Sequence, residues 1–562
     1  MHQKRLHNCF VTINGGTSML RSILAFLAIA ATCYAQDVSR MDQVVQSYVS
    51  GGQFMGSVLV ARDKEVLFSK GYGSANLEWN IPNGSSTKFR LGSITKQFTA
   101  AAILLLEEQG KLKVEDPIRK YLSGAPATWE KITIFHVLTH TSGIPSITNS
   151  PEYPKIEPFP MTPAENLAKV SDKPLEFNPG EKFNYSNSGY ILLGCLIEKV
   201  SGQSYQEFIQ KHIFTPLGMT DSGYDSNSEI IPHRASGYSP GGKGPVNAGF
   251  VHMSIPFSAG ALYSTTEDLL RWESGLFGGK LLSAASLAKM TMPFQNNYAL
   301  GLSVADNKGR KVIGHGGGIE GFNTYLAYYP DTRITIVVLG NLNGSAPEQI
   351  AGALGSLAHG EALVLPTERK EISVDPKILE QYIGAYRLQP GGYATITLEG
   401  KQLFGQITGQ QKIPVFAESE TSFFLKVVDA TIEFVRDEKG AITQLVLNQG
   451  GYQIKAPRVG ANRTDANKFD GTWTGTVKGP DGNPMEVIYI FEGMGETLIG
   501  TVSTRLGGGP FSEGKIEGNN ISFAVRTDQY TINTSGTLSD DVINISQKNG
   551  NDITRFAVKR IK

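Results

Sequence analysis

Cysteine is scarce: the chain of 562 residues has 3. A scaffold stapled by disulfides is thereby excluded. Net charge is absent too, with 52 Lys+Arg against 52 Asp+Glu. A chain without a basic surplus is not built to neutralise nucleic-acid phosphates. The apolar run at 22–35 falls short of the roughly 20 residues a bilayer span requires. Charged residues are only 19% of the chain and hydrophobic ones 40%, a globular composition rather than a disordered one. Glycine (63) and proline (27) are plentiful, and the many turns they imply favour β-rich architecture. The length suits two to four domains.

Arg21 precedes SILAFLAIAATCYA (22–35), which ends on the small residue Ala35. A basic residue, a short apolar run and a small residue read as a secretory signal cleaved near Ala35–Gln36. The expected location is secreted or periplasmic, of bacterial type. The alternative is a buried N-terminal helix. Residues 1–18 are unusual ahead of a signal, which makes Met19 a candidate start. Cleavage removes Lys4, Arg5 and Arg21 and no acid, leaving a slightly acidic mature chain. It also removes Cys9 and Cys33, so Cys195 is expected in the core.

Residues 36–360 mix helix and strand. GSVLVA (56–61) and EVLFS (65–69) flank a charged turn, and TYLAYY (324–329) and ITIVVLG (334–340) flank Pro330–Arg333. Both pairs read as hairpins. QFTAAAILLLEEQG (97–110) and GYILLGCLIEKVSG (189–202) read as helices with glycine stops. Hairpins at both ends with helices between predict an α+β domain whose sheet is closed by its N- and C-terminal strands. Residues 361–375 read as a linker. Beyond it helical periodicity fades, and short alternating strands fill 376–460 and 461–562, as in TITLEG (395–400) and VIYIF (487–491). The two segments open alike, on Tyr382-Ile-Gly-Ala-Tyr386 and Phe469-Asp-Gly-Thr-Trp473, and close near Arg458 and Arg560. Two small all-β barrels or sandwiches are expected, a degenerate pair. Trp473, Tyr489 and Tyr530 either stack on sugars or, the preferred reading, fill these cores.

Ser93-Ile-Thr-Lys96 places a hydroxyl and an amine on one helix face. A serine needs an adjacent base, and a lysine serves only if burial or nearby positive charge lowers its pKa. Three further Ser-x-x-Lys tetrads occur, at Ser85, Ser286 and Ser512, so the motif alone is not specific. Ser93 stands out because it opens an apolar helix, with its N–H at the positive helix end. Tyr185-Ser-Asn187 follows a Pro-Gly turn and precedes a helix. It is either a proton-relaying phenol with a substrate-binding carboxamide or a loop tyrosine beside an Asn helix cap. Gly314-His315-Gly316-Gly317-Gly318 follows a strand, where glycines permit close approach of a substrate backbone. An N–H there can pair with that of Ser93 as an oxyanion hole. Gly316-x-Gly318-x-x-Gly321 also fits a dinucleotide fingerprint, but strand rather than helix follows, and that reading fails.

In this order Ser93-x-x-Lys96, Tyr185-x-Asn187 and His315-Gly-Gly resemble the class C β-lactamase and penicillin-binding-protein-like serine hydrolases. LGSITKQFTA (91–100), LTHTSGIP (138–145), NPGEKFNYSNSGYILLG (178–194), PLGMTDSG (216–223), SAGALYSTTEDLLRW (258–272) and GHGGGIEGFNTYLAYYPD (314–331) extend the resemblance over nearly all of 40–355. Residues 376–458 resemble a lipocalin-like β-barrel often appended to this family. The resemblance implies an antiparallel sheet flanked by helices, an inserted helical subdomain, and a site between them. It makes Ser93 the acylated nucleophile and Lys96 its base. Tyr185 becomes a general base and then an acid to the leaving group. Asn187, His315, Gly316, Gly317 and Gly318 become substrate-binding, and the amides of Ser93 and Gly318 the oxyanion hole.

Where many β-lactamases carry Lys-Thr-Gly, this chain has His315-Gly316-Gly317. Histidine is only partly charged near neutral pH, so capture of a substrate carboxylate is weakened and esters, amides and D-amino-acid peptides gain ground. β-Lactamase, D,D-carboxypeptidase and esterase activities stay open. The expected substrate is a small molecule or cell-wall peptide. The contrasting reading is a catalytically silent cell-wall or polysaccharide binder. His136 and His140, four apart in HVLTH, have a zinc-like spacing but no third ligand, and a structural or site-wall role is expected. Nothing in the sequence signals a metal or an organic cofactor.

Overall fold

In the computed structural model, the described residues are 38–562 except 243, 308, 365–367, 389–391, 409–411, 427–429, 450–451, 460–466, 480–481, 505–506, 527–530, 550–551 and 562. The expected signal at 22–35, Cys9, Cys33 and Tyr530 lie outside them. The chain forms two compact units that meet between Leu363 and Val364.

The first unit is built on a six-stranded antiparallel sheet. Its order is Ser303–Asn307, Arg310–Ile319, Phe322–Tyr329, Ile334–Gly340, Gly56–Arg62 and Glu65–Tyr72. Both hairpins expected from sequence are present. They join where Gly56–Arg62 pairs with Ile334–Gly340, with Leu59 opposite Val337, so the two ends of the domain sequence meet in mid-sheet. All seven residues of Ile334–Gly340 are buried, which is why this strand reads as a continuous apolar run rather than an alternation. Val337 and Leu339 face the main core with Leu269 and Trp272 of helix Thr266–Phe277. Ile336 faces the other way, toward Gly355 of helix Ala346–Ala358.

Inserted between these hairpins is the helical half. Thr95–Glu108 is buried at eleven of its fourteen residues, so its apolar run needs no polar face. Asn187–Ser201 is capped by the Ser186 hydroxyl, which accepts from the Gly189 N–H, and ends at Gly202 with φ +73°, the left-handed stop that glycine adopts without strain. Cys195 is a half-buried thiol on this helix, and burial pushes its pKa up to about 12.

The second unit is all-β. Eight antiparallel strands from Gly384–Arg387 to Tyr452–Pro457 pair in sequence order. A bridge between Tyr386 and Arg458 brings the first and last edges together. A further sheet of nine strands runs from Gly471–Lys478 to Asp552–Arg560. It closes on itself, because Pro484–Met494 pairs with both Gly471–Lys478 and Thr497–Thr504. Trp473 and Tyr489 are fully buried in its core, so neither presents a ring for stacking on sugar.

Candidate active site

Ser93 lies in a 3-10 turn, Gly92–Ile94, that feeds directly into helix Thr95–Glu108. This turn is pressed against the glycine run of strand Arg310–Ile319. Gly92 has φ +55°, and a β-carbon on it would come within 2.8 Å of the Gly318 nitrogen. A β-carbon on Gly317 would lie 1.9 Å from the Leu91 carbonyl oxygen. These two positions need glycine because backbone meets backbone there. Thr324, on the next strand, donates to the same Leu91 carbonyl at 2.8 Å. The contact brings the backbone at 93 and at 318 together, where two N–H groups can receive an oxyanion.

The Lys96 amine is wholly buried. Its Nζ lies 2.8 Å from Asn187 Oδ1, 2.8 Å from the Ala259 carbonyl oxygen and 3.1 Å from Ser93 Oγ. None of these partners is a carboxylate, and burial lowers its pKa well below the usual lysine range. The other tetrad lysines with a described partner differ in kind. Lys88 pairs with Asp221 at 3.1 Å and Lys289 with Glu107 at 2.9 Å, each facing a carboxylate. The neighbours of Lys96 also dictate its protons. Asn187 Oδ1 and Ala259 O can only accept, so a neutral amine donates one N–H to each and turns its lone pair toward the Ser93 hydroxyl.

Asn187 is free for this task because Ser186, not Asn187, caps the helix. Its Nδ2 donates to Thr148 Oγ1 at 3.0 Å, which holds the carboxamide oxygen toward Lys96. Tyr185 stands over the same amine, with Lys96 Nζ 4.9 Å from its ring centroid. Its hydroxyl is buried without a hydrogen-bond partner of good geometry, although Ser93 is near enough to lower its pKa slightly. Burial outweighs that and raises the phenol well above its usual value. His140 stacks on Tyr185 at 4.1 Å between ring centroids and accepts the Ser186 N–H at 3.1 Å. His136 accepts the Thr133 N–H and completes a helix cap. The two histidines of HVLTH thus serve separate structural tasks. Among the described residues no cluster of three or more His, Cys, Asp and Glu is arranged to hold a metal.

His315 departs from expectation. Burial first, and then the proximity of the Lys96 amine when it is protonated, pushes its pKa down to about 4, so it is neutral rather than partly charged near pH 7. Its Nδ1 donates to the Gly316 carbonyl at 2.5 Å, and its Nε2 accepts from Tyr298 OH at 2.9 Å. Both nitrogens are engaged, and no cation is presented to a substrate carboxylate. A cavity of about 250 Å³ opens beside Ser93, between Asn187, Thr148, Ala259 and Gly318. Of the run 315–318 only Gly318 lines it. Gly317 is instead packed on the protein's own Leu91. Gly316 has no such neighbour: a β-carbon there would meet nothing closer than 3.5 Å. A wider groove of about 510 Å³, lined by Val38, Arg62 and His359, contains none of these groups.

Ala259 O and Tyr298 were missed in the sequence. A main-chain carbonyl carries no side-chain signal, and Tyr298 stands outside every motif; only the family resemblance of SAGALYSTTEDLLRW (258–272) pointed toward the former.

A family model described as Beta-lactamase matches residues 41–359, and a domain of unknown function matches 368–458. The chain is 31% identical over 440 residues to a penicillin-binding protein of Bacillus subtilis, covering 72% of this chain and 95% of that one. The crystal structure of a penicillin-binding protein from Bacillus halodurans superposes with a TM-score of 0.51 at 27% identity, covering 56% of this chain and 98% of that one. A penicillin-binding protein homologue from Pyrococcus abyssi shares the fold, with a TM-score of 0.54 at 23% identity over 93% of this chain and 100% of that one.

Proposed function

The chain belongs to the beta-lactamase family of serine hydrolases, and from that premise we propose that it cleaves an ester, amide or D-amino-acid peptide bond through an acyl-enzyme on Ser93. The observation that carries this reading is the Lys96 amine, buried without a carboxylate and 3.1 Å from Ser93 Oγ.

The charge states divide the labour. Neutral Lys96 takes the Ser93 proton as Oγ bonds to the substrate carbonyl carbon. The carbonyl oxygen becomes an oxyanion, held by the N–H groups of Ser93 and Gly318. Tyr185, kept as a neutral phenol, gives its proton to the departing nitrogen or oxygen as the carbonyl–leaving-group bond breaks. The Lys96 ammonium then reprotonates Tyr185, so the amine is neutral again when water enters. Lys96 takes a proton from that water, hydroxide adds to the acyl carbon, and Ser93 leaves with the proton restored.

Neutral His315 argues against substrates gripped by a carboxylate near the third motif, and so favours esters, amides and peptides over efficient β-lactam hydrolysis. With the secretory signal read at 22–35, we place this reaction outside the cytoplasm. Intact mass after incubation with a penicillin and, separately, with a short-chain p-nitrophenyl ester tests the proposal in wild type and Ser93→Ala. Ester turnover or a stable penicillin adduct, present in wild type and lost in Ser93→Ala, is the expected result. Turnover that survives Ser93→Ala, or a folded wild type inert to both reagents, would overturn it.

A further inference from the structure

The cavity beside Ser93 is mostly aliphatic, with Ile147, Ile191, Ile255 and Ile319 in its wall, yet Glu320 stands among them. One oxygen of that carboxylate, Oε2, is shut off from solvent and, the neighbouring Glu157 carboxyl apart, has no hydrogen-bond partner. A buried carboxylate oxygen without a donor is costly, and a ligand N–H that reaches it recovers the loss. Glu157 lies against it. Burial, then the Glu320 charge and a hydrogen bond between the two carboxyls, raises the Glu157 pKa. Among the described residues no lysine or arginine forms an ion pair with either carboxyl. Two carboxyl groups thus stand side by side at the wall of an otherwise aliphatic recess.

In the proposed mechanism the recess falls on the acyl side of the scissile bond. Tyr185, which protonates the leaving group, does not line it, whereas Asn187 and Gly318 do.

We propose that Glu320, backed by Glu157, is a specificity-determining residue that selects substrates whose acyl portion carries a cationic nitrogen, such as an aminoacyl or amine-bearing peptidyl group. The methylene chain lies along the isoleucine wall, and the ammonium donates to Glu320. This rests on the reading of Ser93 as an acyl-transfer nucleophile.

The test compares two p-nitrophenyl esters, the 6-aminohexanoate and the heptanoate, in which a methyl replaces the ammonium. The readout is the ratio of kcat/KM for cationic over neutral ester. A hydrogen bond to a charged group predicts that Glu320→Gln lowers this ratio about tenfold or more. Glu320→Lys is expected to reverse the preference, toward the p-nitrophenyl monoester of adipic acid. An unchanged ratio in both folded variants, or a wild type that favours the neutral ester to the same degree as Glu320→Gln, sinks the proposal. If either variant fails to fold, wild type still decides: inhibition of heptanoate hydrolysis by n-hexylamine and not by n-hexanol supports it, and equal inhibition overturns it. Failure of wild type to hydrolyse either ester through Ser93 would instead strike at the nucleophile itself.

Discussion

Lys96 in the first unit and Glu492 in the second are both buried ionisable residues, at 0% and 2% exposure. Their surroundings treat them in opposite ways. Glu492 is paired with the Arg387 guanidinium and accepts from Tyr393 OH at 2.8 Å, so its negative charge is matched. Lys96 meets only a carboxamide, a carbonyl and a hydroxyl. A paired buried charge stays ionised and inert, whereas an unpaired one yields its charge instead. For lysine that means a lone pair held ready in a water-poor site. The contrast extends to Asp225, fully buried but gripped by Arg90 and Arg234 just ahead of the nucleophile turn, where it ties strands together and does no chemistry.

The sharpest way to break the comparison is to give Lys96 a charge it cannot lose. Lys96→Arg keeps a cation, but a guanidinium does not deprotonate. Ester hydrolysis is expected to fall on the order of 1,000-fold, the scale of general base catalysis, while the protein remains folded. Wild-type activity should also drop as pH falls through the depressed pKa of Lys96, with no step from His315, already neutral above about 4. A pH profile of kcat/KM for wild type and His315→Asn checks this.

Glu273 sharpens the comparison from within the first unit. It is buried on helix Thr266–Phe277 with Oε2 unpartnered, and burial raises its pKa to about 8. The folded state then holds a proton that the unfolded chain loses near the ordinary value of 4.5. Stability contributed by this group is full below 4.5 and declines as pH rises to about 8, by up to about 5 kcal/mol. Glu273→Gln should flatten that decline, read as a smaller drop in Tm between pH 5 and pH 9. Lys96 acts with the opposite sign, since its folded pKa is lowered and its contribution grows with pH toward 10.5.

The smallest effect is expected in the second unit. Glu492→Gln leaves Arg387, at 42% side-chain exposure, able to turn toward water. The cost should be about 1–3 kcal/mol in urea denaturation, with Ser93-dependent hydrolysis unchanged. A loss of hydrolysis there would show that the paired charge is not merely structural.

Much of this was legible in the residues. Alternation and turn residues exposed both hairpins of the first unit, and glycine stops marked the helices that follow Ser93 and Tyr185. The similar openings and closings of the two β segments also have structural counterparts. Tyr386 donates to the Tyr382 carbonyl and Trp473 to the Phe469 carbonyl, each four residues back. Arg458 reaches the Ile383 carbonyl and Arg560 the Asp470 carbonyl. Each sheet thus closes with an arginine from its end laid over the start. Other features were not legible. The glycines at 317 and 318 look alike in sequence, yet one is packed on Leu91 and the other opens on the cavity. The sequence also suggested a half-charged His315, because its burial and its bond to Tyr298 depend on residues far along the chain.

By itself the sequence determined which groups were available: one serine at the head of an apolar helix, a lysine one turn on, a tyrosine and an amide before a second helix, and a glycine run on a strand. It determined the secondary structure around them because periodicity, caps and turns are local. The tertiary structure alone decided their chemistry. Whether an amine is a cation or a base, a histidine a clamp or a neutral wall, and a carboxylate a structural pair or an open selector, depends on what surrounds it after folding. Burial and partner charge are set by packing between distant segments, and no window of sequence contains them.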